Sequence, residues 1–172
     1  MPITPQQLAK KGDEHSHQTA IFQWVALYGV RRHPDMALLH AIPNGAKLRG
    51  IGTDEGRAEG GRMKAEGVRS GVPDVMLPVP VYNQPNAALI LRYPGLYVEL
   101  KKPGREREKD GGRSEQQVEW HAALVRQGYA VATAYGWQAA AQVLADYLAG
   151  AMVMPDGGDC LFALEQADAP WY

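Results

Sequence analysis

The pattern of apolar and polar positions along the chain predicts both helices and strands. Apolar residues recur every three or four positions in some stretches, as in amphipathic helices; these stretches are 13–30, 114–127 and 136–148. Others alternate with a two-residue period or form short apolar runs, as strands do; these are 37–42, 72–78, 97–101 and 129–135. This order of elements favours an α/β sandwich around a mixed sheet.

Four other segments have weaker patterns. A helix is expected over 54–66 although its glycines weaken it, and 87–91 is compatible with a short helix or an extra strand. The charged, glycine-bounded segment 103–113 is expected to be an exposed, mobile loop. Residues 151–172 have no period and suit a tail or a packing strand.

Length and composition indicate one domain. With 172 residues and 45% hydrophobic positions, the chain is long enough for a single core. We expect a flexible leader at 1–12, the domain at 13–150, and an extension at 151–172 that packs on the domain or on a dimer interface. No apolar run suits a membrane span or signal peptide, so a cytoplasmic protein with no membrane partner is expected. The single cysteine excludes an intrachain disulfide and a cysteine-based zinc cluster.

Charge is distributed unevenly along the chain. Residues 1–113 contain 17 Lys/Arg and 12 Asp/Glu, whereas 114–172 contain 1 and 7. The stretch 47–69 combines glycines with cations, which suits contact with a nucleic-acid backbone, although a solvated loop fits the composition equally well. Gly50-Ile51-Gly52 is not a nucleotide-binding fingerprint, because no strand leads into it, and no nucleotide cofactor is expected.

Two acidic side chains and a lysine form the main candidate site. Glu99 and Lys101 share one face of a predicted interior strand, about 6 to 7 Å apart, where unpaired charge costs several kcal/mol. Asp74 begins the preceding strand, which we expect to run antiparallel, so the two carboxylates can converge. Such oxygens favour Mg²⁺ or Mn²⁺, with the Leu100 carbonyl as a possible third ligand. Lys101 could orient or deprotonate a water, or hold a phosphate oxygen, which suits phosphodiester hydrolysis.

The ordered set of motifs resembles a known nuclease family. Pro73-Asp74 followed by Glu99-Leu100-Lys101 is similar to the PD-(D/E)XK signature, and the surroundings resemble its VRR-NUC (virus-type replication-repair nuclease) branch. The other matching motifs are the helix with Glu14 and Gln18, Ile42-Pro43-Asn44-Gly45, Gly71-Val72, Gly95-Leu96-Tyr97-Val98, Ser114 with Gln116 and Trp120, and Gly128-Tyr129. The resemblance implies a restriction-endonuclease-like α/β sandwich with helices flanking a central mixed sheet.

The resemblance also implies roles for individual residues. Asp74 and Glu99, with Leu100, would bind Mg²⁺ or Mn²⁺, and Lys101 would be the catalytic lysine. Glu14 would be the acid of the first helix that completes the site, and Asp13 is the alternative for this role. The glutamine near the scissile phosphate would be Gln116. We expect DNA contacts from a polar and basic set: Asn44, Lys47, Arg49, Arg57 and Arg62. Small members of the family imply a homodimer that cuts branched DNA, notably Holliday junctions.

Alternatives remain at this point. Lys101 and Glu99 could form a purely structural ion pair, and Gln116 could simply bond the helix backbone beside the capping box of Ser114 and Gln117. His15, His17, His40 and His121 fit surface or packing positions better than ligand positions. The protein could instead be a non-catalytic DNA-binding module of the same fold, or a nuclease acting on flaps or duplex ends.

Overall fold

A computed structural model of the chain describes residues 2–43, 54–83, 88–155 and 160–163. Its helices α1 to α6 are Pro5–Leu8, Glu14–Trp24, Val30–Arg32, Asp54–Ala65, Glu115–Arg126 and Trp137–Leu148. Its strands β1 to β7 are His40–Ala41, Val75–Leu77, Val81–Asn83, Ile90–Tyr93, Leu96–Lys101, Ala130–Tyr135 and Cys160–Ala163. None of the described helices combines the length and the apolar character needed to cross a lipid bilayer.

Five strands form a mixed central sheet in the order β1-β2-β5-β6-β7. The pairs β1–β2 and β2–β5 are antiparallel, whereas β5–β6 and β6–β7 are parallel. Helices flank this sheet, which confirms the predicted α/β sandwich. The expected antiparallel pairing of the strands near Asp74 and Glu99 is also confirmed, since Val75 lies opposite Val98.

Strand β5 lies at the centre of the sheet and is covered on both faces. Val98 and Leu100 are 1% exposed and belong to the core that α2 and α6 build with Trp24 and Trp137. Helix α5 lies over the other face, on which Glu99 and Lys101 are also buried. Because both faces are covered, the two charged side chains lose most of their contact with solvent.

The first predicted helix and strand differ from the observed ones. After Trp24 the helix widens into a π-helical turn at Val25–Gly29 and continues as α3. Gly29 therefore does not end the helix; its lack of a side chain allows close packing, since a Cβ there would lie 2.6 Å from Met36 Sδ. The strand predicted over 37–42 is only β1, because a 3₁₀ turn that begins at Pro34 extends through Leu38.

Two described strands between β2 and β5 do not join the central sheet. Strands β3 and β4 pair antiparallel as a separate two-stranded sheet, with a register shift between Val81 and Tyr82. The segment 87–91, which the sequence shows to be compatible with a helix or a strand, overlaps a strand at Ile90–Tyr93. Its apolar residues Leu89, Ile90 and Leu91 are more than half exposed. A short apolar run has neither the helical nor the strand period, so the sequence alone does not show whether it forms a helix or a strand.

Both chain ends contain regular structure. Within the segment predicted as a leader, α1 begins with a capping box between Thr4 and Gln7, and Pro5 is buried. In the C-terminal extension, β7 pairs in parallel with β6 at the edge of the sheet. Strand β7 therefore belongs to the central sheet; the expected packing of 151–172 on the domain or on a dimer interface stays a prediction.

The segment 103–113 is less exposed than predicted. Gly111 and Gly112 are buried in a 3₁₀ turn, and the Tyr135 hydroxyl donates a hydrogen bond to the Gly111 carbonyl at 3.0 Å. A Cβ at Gly112, where φ is +74°, would lie 2.9 Å from Arg105 Nε. Most of the segment is exposed, as expected, but Gly111 and Gly112 are not, because the chain folds back there across the end of the sheet.

Candidate active site

The alternation of β5 places Glu99 and Lys101 side by side. Glu99 is 1% exposed and Lys101 4% exposed, and Lys101 Nζ donates to Glu99 Oε1 at 2.7 Å. The apolar positions between and beside them pack into the opposite face of the sheet, which holds both charged side chains on one side. The two groups form the buried ion pair that the spacing allowed.

Asp74 lies at the same end of the sheet. It immediately precedes β2, and its Oδ2 accepts a hydrogen bond from the Leu100 backbone N–H at 2.7 Å. This contact anchors the Asp74 carboxylate against β5, next to Glu99. The negative charge of Asp74 contributes to a raised pKa of the Glu99 carboxyl. The structure thus brings Asp74, Glu99 and Lys101 together as predicted, while their roles as metal ligands and catalyst stay predictions.

The environment of Glu99 disfavours a negative charge when no cation is bound. Burial and, to a lesser extent, the charge of Asp74 raise the pKa of Glu99 to about 8, although Lys101 opposes the shift. Its Oε2 is buried and has no hydrogen-bond partner among the described residues. An unsatisfied carboxylate oxygen beside a second carboxylate fits a divalent cation, which would satisfy the oxygen and offset both charges.

The protein ligands for such a cation would be few. Among the described residues, no group of three or more His, Cys, Asp or Glu side chains is arranged to hold a metal ion. Asp74 and Glu99 would therefore need a backbone oxygen or water to complete the coordination. Mg²⁺ commonly binds through one or two carboxylates and retains several waters, so a two-carboxylate site suits this ion. The proposed contribution of the Leu100 carbonyl stays a prediction.

Gln117 contacts the acid–lysine pair. Its Nε2 donates a short hydrogen bond to Glu99 Oε1, and its Oε1 accepts from Lys101 Nζ at 3.3 Å. The same Oε1 accepts from the Ser114 N–H at 2.8 Å, in the predicted capping box of α5. The capping box is the sequence signal that could have identified Gln117 as a residue of the site. It turns the Gln117 side chain back toward the start of the helix, where β5 ends.

Gln116, the glutamine assigned to the scissile phosphate, has a different position. Its side chain is exposed, and its backbone packs against Gly71, where a Cβ would lie 2.7 Å from the Gln116 carbonyl carbon. Gly71 has a φ of +87°, so both conformation and space favour glycine there. Of the two neighbouring glutamines, Gln117 is the one that contacts Glu99 and Lys101; the predicted role of Gln116 stays a prediction.

Glu14 reaches the site from the first turn of α2. Its Oε1 lies 3.8 Å from Lys101 Nζ and 3.7 Å from Arg105 Nη1, and the side chain is 45% exposed. The competing acid, Asp13, is the N-cap of this helix and accepts a hydrogen bond from the Ser16 N–H at 2.7 Å. Geometry therefore favours Glu14 over Asp13 as the acidic residue of the first helix that approaches Lys101.

A basic cleft opens over Lys101. We use this name for a cavity of about 410 Å³ lined by Lys101, Arg105, Glu108, Lys109, Gly112, Arg113, Ser114 and Gln117. Sequence analysis did not assign Arg105, Lys109 or Arg113 to the site. The available signal was the charged run that directly follows β5, since a segment leaving the end of that strand must begin beside Lys101. Four of the eight lining residues are cationic, which suits an anionic substrate.

The predicted DNA-contacting residues lie elsewhere in the chain. Arg57 and Arg62 are exposed on α4, where Arg62 Nε lies 3.7 Å from Glu66 Oε1 one turn later. Asn44, Lys47 and Arg49 lie outside the described residues. The DNA contacts assigned to this set stay predictions.

A solved structure described as a "VRR_NUC domain protein" is similar to this chain, with a TM-score of 0.56 and 22% sequence identity. The match covers 86% of this chain and 92% of the other. No family model matches the sequence, and no curated protein matches it. The structural match shows that this chain shares the α/β fold of that VRR_NUC domain protein.

Proposed function

We propose that this protein is a divalent-metal-dependent DNA endonuclease that hydrolyses phosphodiester bonds in branched DNA. The observation that supports this function most directly is the convergence of Asp74, Glu99 and Lys101 at one end of a nuclease-like sheet. A protein interior seldom retains two carboxylates and an ammonium unless they are paired or bind an ion. Here the pairing leaves Glu99 Oε2 unsatisfied, which favours an ion.

Asp74 and Glu99, with the Leu100 carbonyl, would hold Mg²⁺ or Mn²⁺. When bound, such an ion lowers the pKa of a coordinated water and offsets charge on the phosphate. The hydrogen bond from the Leu100 N–H keeps Asp74 in place before an ion arrives. The buried position of Glu99 keeps its carboxylate from binding bulk water.

Lys101 would orient the attacking water or hold a non-bridging phosphate oxygen. Its ammonium already contacts three groups: Glu99 and Gln117, each by a hydrogen bond, and Glu14 at 3.8 Å. These contacts restrict the side chain to one position at the floor of the basic cleft. A preorganised cation of this kind stabilises developing charge without further rearrangement. Gln117 would act as a positioning residue for both members of the pair.

The proposed substrate is branched DNA, notably the Holliday junction. The cations of the basic cleft suit a phosphate backbone. Resolution of a four-way junction requires two symmetric cuts, which a two-fold dimer would place on opposite strands. We therefore propose a homodimer. Its mass in light scattering, with and without junction DNA, tests this part independently of catalysis.

A substrate panel tests the nuclease itself. Purified protein is incubated with a four-way junction, a flap and a linear duplex, in Mg²⁺, in Mn²⁺ and in EDTA. We expect metal-dependent cleavage with preference for the junction, and none in EDTA. Salt-sensitive binding without cleavage of any substrate in either metal would contradict the nuclease and favour a binding module of the same fold.

A further inference from the structure

Arg105 approaches the proposed active site from the segment that follows β5. Its Nη1 lies 3.7 Å from Glu14 Oε1, and the same oxygen lies 3.8 Å from Lys101 Nζ. One carboxylate oxygen therefore lies between two cations, of which one ends β5 and the other belongs to the loop that follows it. Neither the family resemblance nor the proposed hydrolysis assigns a role to Arg105.

Contacts within the loop set the position of the Arg105 guanidinium. Its Nε and Nη2 both donate to Glu108 Oε2, at 2.9 Å and 2.6 Å. Gly112 leaves the space that this side chain occupies, since a Cβ there would lie 2.9 Å from Arg105 Nε. The φ of Gly112 is +74°, which also favours glycine. The Arg105 side chain is therefore only 30% exposed, although it belongs to a loop.

One nitrogen of this guanidinium is available for a ligand. Among the described residues, Nη1 makes no hydrogen bond, and its distance to Glu14 exceeds the about 2.7 to 2.9 Å of a charge-assisted hydrogen bond. A guanidinium presents its N–H groups in a planar fork that matches the oxygens of phosphate. Nη1 can therefore donate to an anion in the basic cleft while Nε and Nη2 stay bound to Glu108.

Glu14 is held weakly between the two cations. Within the part of the chain that the structure describes, its carboxylate accepts no hydrogen bond, and its side chain is 45% exposed. Ion pairs that are open to water contribute little free energy. A phosphate that donors on both cations can reach would make charge-assisted hydrogen bonds that Glu14 does not make. The position of this carboxylate is thus one that a stronger anionic ligand can take.

We propose that Arg105 and Lys101 together bind the DNA phosphate that is cleaved, and that Glu14 occupies this anion position until DNA displaces it. The inference rests on the proposed function for the identity of its ligand. Both cations would donate to non-bridging oxygens and stabilise the charge that develops on the phosphate. Displacement releases the Glu14 carboxylate, which is compatible with the role in completing the site that the resemblance implies for it.

Arg105→Gln is the main test. Single-turnover cleavage of a junction should fall about 100-fold, because one donor to the developing charge is lost. In EDTA, fluorescence anisotropy should show weaker binding of the junction, and the slope of log affinity against log salt should fall by about one. The control is Arg107→Gln, the same charge change at an exposed position that does not line the basic cleft. It should leave the cleavage rate nearly unchanged.

Glu108→Gln tests the alternative that Arg105 only anchors the loop. This variant weakens the same ion pair but retains the guanidinium. If Arg105 binds phosphate, Glu108→Gln should bind the junction more tightly in EDTA, whereas an anchoring role predicts weaker binding in both Arg105→Gln and Glu108→Gln. Arg105→Lys retains the charge without the planar fork, so it should restore the salt slope but only part of the cleavage rate. Urea denaturation verifies that each variant is folded.

Glu14→Gln tests the displacement. In EDTA it should bind the junction more tightly than the wild-type protein does, because no carboxylate competes with the phosphate. The gain should be smaller in the Arg105→Gln background, where the carboxylate has lost one of its two cations. Equal affinities of Glu14→Gln and the wild-type protein would overturn the displacement.

The phosphate contact and the nuclease can fail separately. Equal cleavage and equal binding in Arg105→Gln and Arg107→Gln, in a protein that does cut DNA, would overturn the phosphate contact and leave the nuclease intact. If the wild-type protein cuts no substrate but Arg105→Gln still weakens binding in EDTA, the result would support a phosphate contact by Arg105 and refute the nuclease.

Discussion

Two charged regions of this molecule differ in the free-energy cost of removing their charges from water. At the end of β5, Glu99 and Lys101 are almost completely buried and paired to each other. On α4, Arg57 and Arg62 are exposed, and Arg62 pairs with Glu66 across one helical turn. An exposed pair contributes at most about 1 kcal/mol, whereas desolvating a charge costs several kcal/mol. Only the buried group therefore indicates a function by its position alone.

Replacing Lys101 tests the buried region most strongly. Lys101→Ala should lower the cleavage rate about 10³-fold, because it removes the one ammonium that contacts Glu99 among the described residues. Single-turnover cleavage of a junction measures the effect. Lys102→Ala is the matched control, since Lys102 is the next residue and is exposed; it should retain nearly full activity. Equal activity in the two variants would remove Lys101 from the mechanism.

The cost of burying Glu99 predicts a pH-dependent stability. Its pKa is about 8 in the folded protein and about 4.5 in the unfolded chain, so the folded state binds the proton more tightly. The resulting stability is complete below about pH 4.5 and is lost as the pH rises through about 8. The Glu99→Gln variant carries no ionisable group at this position. Between pH 5 and pH 8, its free energy of unfolding should therefore rise by about 3 kcal/mol relative to that of the wild-type protein.

Urea denaturation in EDTA measures this difference. Glu119→Gln, the same change at an exposed position of α5, should show no comparable gain. Parallel curves for wild type and Glu99→Gln across this pH range would mean that Glu99 titrates near its ordinary pKa, and the contrast between the buried and exposed regions would weaken.

The two adjacent glutamines refine the comparison within a single helix turn. Gln117→Ala should lower the cleavage rate about 10- to 100-fold, because it frees both Glu99 and Lys101, and should cost about 1 kcal/mol of stability through loss of the capping box. Gln117→Glu retains the capping box but cannot donate to Glu99. Low activity in both variants therefore indicates positioning rather than capping.

Gln116→Ala serves as the neighbouring control for that pair. It should reduce the rate less than Gln117→Ala does, since Gln117 is the glutamine in contact with the acid–lysine pair. A larger loss in Gln116→Ala would restore the original assignment of Gln116 to the scissile phosphate.

The smallest effect is expected on α4. Arg62→Ala should change the free energy of unfolding by less than about 0.5 kcal/mol, since both partners of its ion pair are mostly exposed. If α4 contacts DNA as predicted, affinity should fall severalfold for all sequences and the salt slope by about one. An unchanged salt slope would remove Arg62 from the DNA interface.

The residues of the candidate active site differ in how far the sequence could predict their positions. Asp74, Glu99 and Lys101 were predicted together because two short strands with a known period place them at one end of a sheet. Gln117 was recognised only as a capping residue, since a local motif does not show which strand lies beside a helix. The sequence predicts only a loop for Arg105, Lys109 and Arg113. That loop returns over the sheet with the help of a hydrogen bond between Tyr135 and Gly111, and a local pattern does not show this contact because the two residues are far apart in the chain.

By itself, the sequence determined helices α5 and α6, the central strands β5 and β6 and the spacing of the acid–lysine pair, because each depends on a period or a cap within a few residues. Only the tertiary structure decided that Glu99 is buried with one oxygen unsatisfied, that Glu14 rather than Asp13 approaches Lys101, and that His17 lies at the start of α6. Each of these depends on residues far apart in the chain. Burial and electrostatic coupling exist only once packing brings such residues together.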